Sequence, residues 1–210
     1  MTSDLEVMSG WGRTAPSAAL RRRPPSIDAV LTMLASAGAR GALPRGLGRS
    51  YGDVAQNGGG LVLDMTGLAG IERFDREAGT ITALAGTSLD RILRTIVPAG
   101  WFLPVTPGTR FVTLGGAIAN DVHGKNHHRD GAFGAHLLSF DLLRPDGAVR
   151  TVTPGTDAFA ATVGGIGLTG IVVRATIRLL PIETATVRVD TERARDLEDL
   201  LSRMEAGDDA

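Results

Sequence analysis

Arg45-Gly46-Leu47-Gly48-Arg49-Ser50-Tyr51-Gly52-Asp53 is the stretch on which the reading of the fold turns. Its glycines open backbone conformations that other residues avoid, so successive N–H groups can converge on one anion as a nest. Ser50 adds a hydroxyl donor and Arg49 a charge. A plain glycine-rich turn has the same composition, and the stretch alone does not choose between the two. It is not a familiar nucleotide loop. It holds no Walker lysine, and Gly46, Gly48 and Gly52 miss the G-x-G-x-x-G spacing by a displaced last glycine.

Working outward, the flanks alternate short strands with short helices. Upstream, Ser26 reads as an N-cap for a helix with Ile27, Val30, Leu31 and Leu34 on one face, ended by Gly38. A strand at Ala42-Leu43 leads into the loop. Downstream come a turn at Asn57 to Gly60 and a buried strand at Leu61 to Asp64. Ile71–Phe74 and Thr80–Ala83 form an expected hairpin through Gly79. Thr87 or Ser88 caps a helix with Leu89, Ile92, Leu93 and Ile96 inward, stopped by Pro98 and Gly100. Leu137–Leu143 and Ala148–Val152 pair across Pro145-Asp146-Gly147. Phe159–Val163 is a short helix and Ile171–Leu179 a long strand. The fold class is α+β. After Pro181 the character changes: Glu183–Asp190 reads as a polar strand and Ala194–Met204 as a charged helix, with no closing element before Asp208-Asp209-Ala210. A new domain is expected to start near residue 183.

Three further segments carry chemistry. In Thr113-Leu114-Gly115-Gly116-Ala117-Ile118-Ala119-Asn120-Asp121, Thr113 reads as an N-cap, and Gly115 and Gly116 expose amides where a pyrophosphate fits; a tight helix crossing also favours such small residues. Pro107-Gly108-Thr109 precedes it. Asp121-Val122-His123-Gly124-Lys125-Asn126-His127-His128-Arg129 gathers three of the four histidines. His123 and His127 have i, i+4 spacing, but Gly124 disfavours a helix through them and no H-E-x-x-H pattern is present. The loop reads better as the floor of a site for an anionic substrate or a reduced cofactor ring than as a metal site. Thr162-Val163-Gly164-Gly165-Ile166-Gly167-Leu168-Thr169-Gly170-Ile171 can expose backbone beside a bound ring, but read by itself it is a bulged turn before the long strand.

Composition limits the rest. With 43% hydrophobic and 4% aromatic residues, the core is built mainly of Val, Leu, Ile and Ala, and 210 residues suffice for one core or a core of two lobes. A net charge of -1 provides no bulk field for nucleic acid. The absence of cysteine excludes disulfides, thiolate metal sites and Cys nucleophiles. Met1 to Ser9 is acidic and has no apolar stretch of the secretory kind, and no apolar run is long enough to span a bilayer. Arg21-Arg22-Arg23 reads as a solvated surface turn rather than a lipid contact.

In this order the segments resemble the vanillyl-alcohol-oxidase type of flavoprotein, whose FAD-binding domain is called PCMH-type. Arg45-Gly46-Leu47-Gly48-Arg49-Ser50 is similar to that family's R-G-x-G-H-S loop, Thr113-Leu114-Gly115-Gly116 to its T-V-G-G loop, and Gly164 to Ile171 to its later glycine turn. The resemblance spans about residues 10–182. Gly10-Trp11-Gly12-Arg13-Thr14-Ala15-Pro16-Ser17, Gly48 to Gly60 and His123-Gly124-Lys125-Asn126-His127-His128 are more similar still to the actinobacterial branch that oxidises polyprenyl-phosphate ribose.

The resemblance implies a PCMH-type domain of two small α/β lobes with mixed sheets over residues 1–182, and over 183–210 the start of a substrate domain continued elsewhere. It implies FAD, held without a covalent bond because Arg49 stands at the linking histidine's position. It places Arg45, Gly46, Leu47, Gly48, Arg49, Ser50, Tyr51, Gly52 and Asp53, with Gly108 and Thr113, Leu114, Gly115 and Gly116, around the pyrophosphate and ring. It sets Asn120, Asp121, Val122 and His123 along the flavin and Ile171 near the adenine. It puts Tyr51, His123 and Lys125 at the substrate face as catalytic candidates. The implied reaction is oxidation of a ribose 2′-hydroxyl on a polyprenyl-phosphate sugar. A separate NADH-dependent keto-sugar reductase is the implied partner, and peripheral membrane contact is expected. An alditol or aldonolactone oxidase, or an FAD-binding segment inactive alone, are the alternatives.

Overall fold

A computed structural model describes residues 5–207. The expectations that fall on residues 1–4 and 208–210 lie outside them. The chain forms two lobes, each with its own sheet. In the first, β1 (Leu5–Met8) runs antiparallel to β2 (Ser17–Arg22), while β2 and β3 (Ala42–Arg45) both run parallel to β4 (Leu61–Asp64), giving the order β1-β2-β4-β3. Parallel strands of one sheet need long crossovers. Helix α1 (Ile27–Ala35) provides one between β2 and β3, its start capped by Ser26, whose Oγ accepts from the Ala29 amide. The second, from β3 to β4, has no helix and is the glycine-rich loop itself. Loops of that length without structure of their own are usually functional.

The second lobe is an antiparallel sheet, β5-β6-β10-β8-β9, from β5 (Ile71–Asp75), β6 (Thr80–Leu84), β8 (Leu137–Leu143), β9 (Val149–Val152) and β10 (Ile171–Arg178). Helices α2 (Leu89–Ile96) and α3 (Leu114–Ala119) cover one face. Leu89, Ile92, Ile96, Leu114 and Ile118 pack there against Ile81, Phe140 and Ile177. The other face meets the first lobe, where Val30, Leu61, Leu63, Met65, Leu143, Ile171 and Val173 form a second core.

β10 serves both cores, and its register shows how. Ile171 and Val173 face the first lobe, while Val172, Ala175 and Ile177 face the helices. A bulge between Val172 and Arg174 shifts the alternation by one residue. The strand is therefore buried on both faces at its start and on one face further along.

Several sequence expectations need correction. Arg21 and Arg22 lie in β2, not in a surface turn. The stretch reads as a turn because three arginines suggest solvent, yet Arg21 Nε donates to the buried Asp64 carboxylate at 3.2 Å and Nη1 to Glu6 at 3.0 Å. No strand forms over residues 183–190, which find no ladder partner. A single helical turn, α4 (His127–Asp130), follows Asn126; the last helix is α6 (Leu197–Gly207), three residues later than expected, and α5 (Asp157–Thr162) starts two residues early because Thr156 caps it. A small ladder of β7 (Trp101–Phe102) with β11 (Leu180–Pro181) escapes the sequence reading because each strand has only two residues.

Asp64 ties the end of β4 to β2. Burial, the largest single influence, pushes its carboxyl up, but donation from Thr66 and Arg21 outweighs this and holds it below the ordinary carboxylate value. A depressed folded-state pKa contributes stability that is complete above the unfolded value, near 3.9, and vanishes as pH falls through the folded one. Asp64→Asn should thus lower the melting temperature at pH 7 by about 4–8 °C, for roughly 2 kcal/mol. The gap between parent and variant should close in strong acid, as pH falls through the depressed folded-state value. Thermal denaturation at both pH values measures it, and a gap that persisted in acid would remove the charge from the explanation.

Candidate functional site

A cavity of about 780 Å³ opens where the lobes meet. That is the upper part of the range for small-molecule and cofactor sites, roughly 300–1,000 Å³. Pro44 and Met65 reach it from the first lobe, and Ala85, Ile171 and Val172 from the second. Three of the four chemistry-bearing segments of the sequence converge on it, and the fourth, Asp121 to Arg129, reaches it only through Val122. Gly46 to Gly52 form one wall, Gly108 and Thr109 with Gly115, Gly116 and Asn120 another, and Ile166, Gly167 and Gly170 a third.

The glycine-rich loop has the hydrogen bonding of an anion site. Among the described residues, the backbone N–H groups of Leu47 to Gly52 donate to no protein acceptor. Two of their carbonyls are engaged by backbone amides: Ser50 O accepts from the Trp11 amide at 2.7 Å and Tyr51 O from Gly12 at 3.2 Å. The Arg45 guanidinium holds the loop from below, with Nη1 donating to Ala55 O at 2.7 Å and Nη2 to Ser9 O at 2.6 Å. Burial, reinforced by the nearby Arg21, lowers the pKa of Arg45. Arg45 therefore works as a brace. Arg49 is exposed, donates to Leu47 O at 2.8 Å and lies 5.3 Å from the Trp11 ring centre.

The amides at the start of α3 differ from the sequence expectation. Leu114 N donates to Thr87 O and Gly115 N to Ala85 O, both at 2.8 Å, and Gly116 N to the Thr113 cap at 3.2 Å. They have protein acceptors and are not open to a pyrophosphate. The glycines serve close packing instead, since a Cβ on Gly115 would sit 3.0 Å from the Ala85 Cβ. Leu114 is fully buried in the core. With small residues on one wall and unbonded amides on the other, the cavity fits a flat ring system carrying a diphosphate.

The catalytic candidates divide. Tyr51 lines the cavity and is 79% exposed at its mouth. His123 and Lys125 are exposed beyond Val122 and do not line it. Asp53 does not line it either, and Asp121, held at φ 41°, turns its carboxylate to the Gly134 amide at 2.8 Å. The His123 and His127 rings meet edge to face at 5.3 Å, and His127 Nδ1 lies 3.2 Å from Gly124 O. Among the described residues, no three His, Cys, Asp or Glu side chains converge as metal ligands. Phe111 also lines the cavity and lies outside every segment quoted from the sequence, while Trp11 and Thr162 lie within quoted segments but were not assigned to the site. Trp11 and Phe111 belong to turns whose approach is tertiary, and no periodicity marks them.

Residues 18–153 match the profile of a family described as FAD binding domain. The chain belongs to that FAD-binding family. FAD is accordingly its cofactor, and the unbonded amides with the small-residue wall are where this chain can hold it. Over 97% of its length, the chain is 47% identical to decaprenylphosphoryl-beta-D-ribose oxidase of Mycolicibacterium smegmatis, covering 45% of that protein. It is 29% identical to L-gulono-1,4-lactone dehydrogenase of Mycobacterium tuberculosis over 81% of the chain and 39% of that protein. The chain thus spans less than half the length of these curated relatives. Among solved structures, alkyldihydroxyacetonephosphate synthase superposes with a TM-score of 0.67 at 20% identity, over 79% of this chain and 32% of that one. That likeness shows the fold, two lobes with a mixed and an antiparallel sheet.

Arg49 bears on how the FAD is retained. A guanidinium stays protonated and offers no free lone pair for attachment to a flavin methylene. Acid precipitation of FAD-loaded protein should leave the yellow colour in the supernatant. Colour that remained with the pellet would contradict noncovalent binding.

Proposed function

We propose that this FAD-containing protein oxidises the ribose 2′-hydroxyl of decaprenylphosphoryl-β-D-ribose to the 2′-keto sugar, toward cell-wall arabinan precursors. The observation that carries the reading is the 47% identity, along nearly the whole chain, to an oxidase of that name. Bound FAD would accept the C2′ hydrogen with its two electrons as hydride, while the hydroxyl proton passes to a base. Tyr51, at the cavity mouth, orients the sugar. His123 and Lys125, just past the lining residue Val122, face the sugar and its phosphate; the Lys125 ammonium holds the anionic group. The keto product suits a separate NADH-dependent reductase, the partner we propose.

No helix among the described residues is long and apolar enough to cross a membrane. We place the protein in the cytoplasm or peripherally at the membrane surface, where a lipid-linked sugar is presented. Residues 1–182 are then the FAD domain. Residues 183–210 begin a substrate-covering domain, in keeping with an α6 that buries none of its residues and exposes Leu197, Leu200, Leu201 and Met204.

The 29% likeness to a gulonolactone dehydrogenase supports a second reading, an oxidase of aldonolactones or alditols. Stopped-flow bleaching of the flavin separates them. The protein tested is the chain joined to the C-terminal remainder of the M. smegmatis relative. Polyprenyl-phosphate ribose should bleach it and L-gulono-1,4-lactone should not; the reverse would overturn the proposal. In the same protein His123→Ala and Lys125→Ala should each slow bleaching by about 10²-fold while the flavin stays bound. Unchanged rates would remove both residues from the substrate face.

A further inference from the structure

The loop between β1 and β2 lies outside the part of the chain that matches the FAD-binding family, which begins at residue 18. It reaches across to the glycine-rich loop of the cavity. We propose that this strap, Ser9 to Arg13, is a cofactor-positioning element, with Gly10 and Gly12 setting the phosphate-facing amides and Trp11 forming a wall of the FAD site. The proposal rests on the reading that the amides of Leu47 to Gly52 receive the diphosphate.

The geometry begins with the peptide unit. A trans peptide points its N–H opposite to its C=O, and no cis peptide is present among the described residues. Ser50 O is held by Trp11 N at 2.7 Å, so the N–H of Tyr51, in the same peptide plane, points away from the strap. Tyr51 O is held by Gly12 N at 3.2 Å, which does the same for the N–H of Gly52. Both residues line the cavity, and both amides lack a protein acceptor.

Contact this close requires glycine. A Cβ on Gly10 would lie 2.1 Å from Gly52 O and 2.5 Å from Ser50 O, and one on Gly12 would lie 2.5 Å from Tyr51 O. All three obstacles are backbone atoms, which cannot swing aside as a side chain does. The strap ends, and the chain turns toward β2, through two non-glycine residues of positive φ, Arg13 at 55° and Ala15 at 44°. Such conformations persist only where the surroundings hold them. Trp11 at its apex lines the cavity while remaining 58% exposed, with Arg49 stacked on its ring. An exposed tryptophan on a cavity lip is well suited to stack on a flat ligand.

The test compares FAD with riboflavin, which has no phosphate. In Gly12→Val the FAD dissociation constant should rise about tenfold or more, the equivalent of one or two lost amide bonds to a charged group. Riboflavin affinity should change less than about threefold. A merely structural role would weaken both ligands alike, and that outcome overturns the inference. Trp11→Ala removes only an exposed ring and keeps the test open should Gly12→Val fail to fold. It should weaken FAD, and Trp11→Phe should restore it. FAD affinity unchanged in both Gly12→Val and Trp11→Ala also overturns the inference. Gly48→Val, within the loop itself, distinguishes the two readings. Loss of FAD there with no loss in the strap variants sinks only the strap; retention in Gly48→Val sinks the loop reading beneath it.

Discussion

Gly48→Val should raise the FAD dissociation constant about 10²-fold while the two lobes remain folded. Gly48 adopts φ 64°, where a β-branched residue is strained by roughly 1–2 kcal/mol. A Cβ there would lie 2.2 Å from Arg45 Nη2 and 2.8 Å from its Cζ. A guanidinium at the end of a long side chain normally swings aside at little cost. This one is fixed between Ala55 O and Ser9 O, so moving it releases both ends of the loop and the strap together. Strain and lost bonds sum to about 3 kcal/mol, which corresponds to the stated factor. Gly41→Val is the control. Gly41 has nearly the same φ, 65°, with open space beyond it and no part in the loop. Equal FAD loss in both variants, measured by equilibrium dialysis, would show that general strain and not the Arg45 brace is responsible.

Gly86→Ala should destabilise the whole chain by more than about 3 kcal/mol, lowering the melting temperature by at least about 6–12 °C. Gly86 sits at the joint between the lobes. Its N–H donates to Leu68 O at 2.9 Å, next to Ala85, whose N–H donates to Val173 O. A Cβ would meet Met65 O at 1.8 Å and Leu68 O at 2.7 Å. Both are backbone oxygens, and the buried Thr87 hydroxyl fixes the same corner by bonding both N–H and C=O of Gly70. Relief therefore requires the lobes to part, which opens the core around Met65 and Val173. Gly38→Ala, where nothing lies within 4 Å, should change stability by less than about 1 kcal/mol. A Gly86→Ala melting curve within that margin would mean that the joint is soft.

Much of the second lobe was legible because its elements are local. The hairpin through Gly79 closes through one turn, the Ser88-capped α2 buries one clear face, and the strand Ile171–Arg178 opens on a continuous apolar run. The first lobe was harder. β1 and β2 carry Glu6, Arg21 and Arg22 in a strand pair whose polar side chains find partners across the sheet, so alternation was masked by charge. Beyond residue 182 the opposite error arose. Residues 183–190 alternate like a strand, but a strand without a neighbour gains nothing for the entropy it loses, and none forms.

The sequence by itself determined the α+β class, most element starts through their caps, and the glycine segments that meet at the cavity. Those are properties of neighbouring residues: a serine or threonine three positions before an amide, a glycine where φ must be positive. Only the tertiary structure decided which amides remain unbonded. The helix start at Gly115-Gly116 looked as open as the loop at Leu47 to Gly52, yet Ala85 and Thr87, distant in sequence, bring carbonyls to the former. Trp11 and Gly12 bring amides to the carbonyl side of the latter and leave its own amides unbonded. Whether a donor is satisfied depends on what the rest of the chain places within 3 Å of it, and no local pattern encodes that.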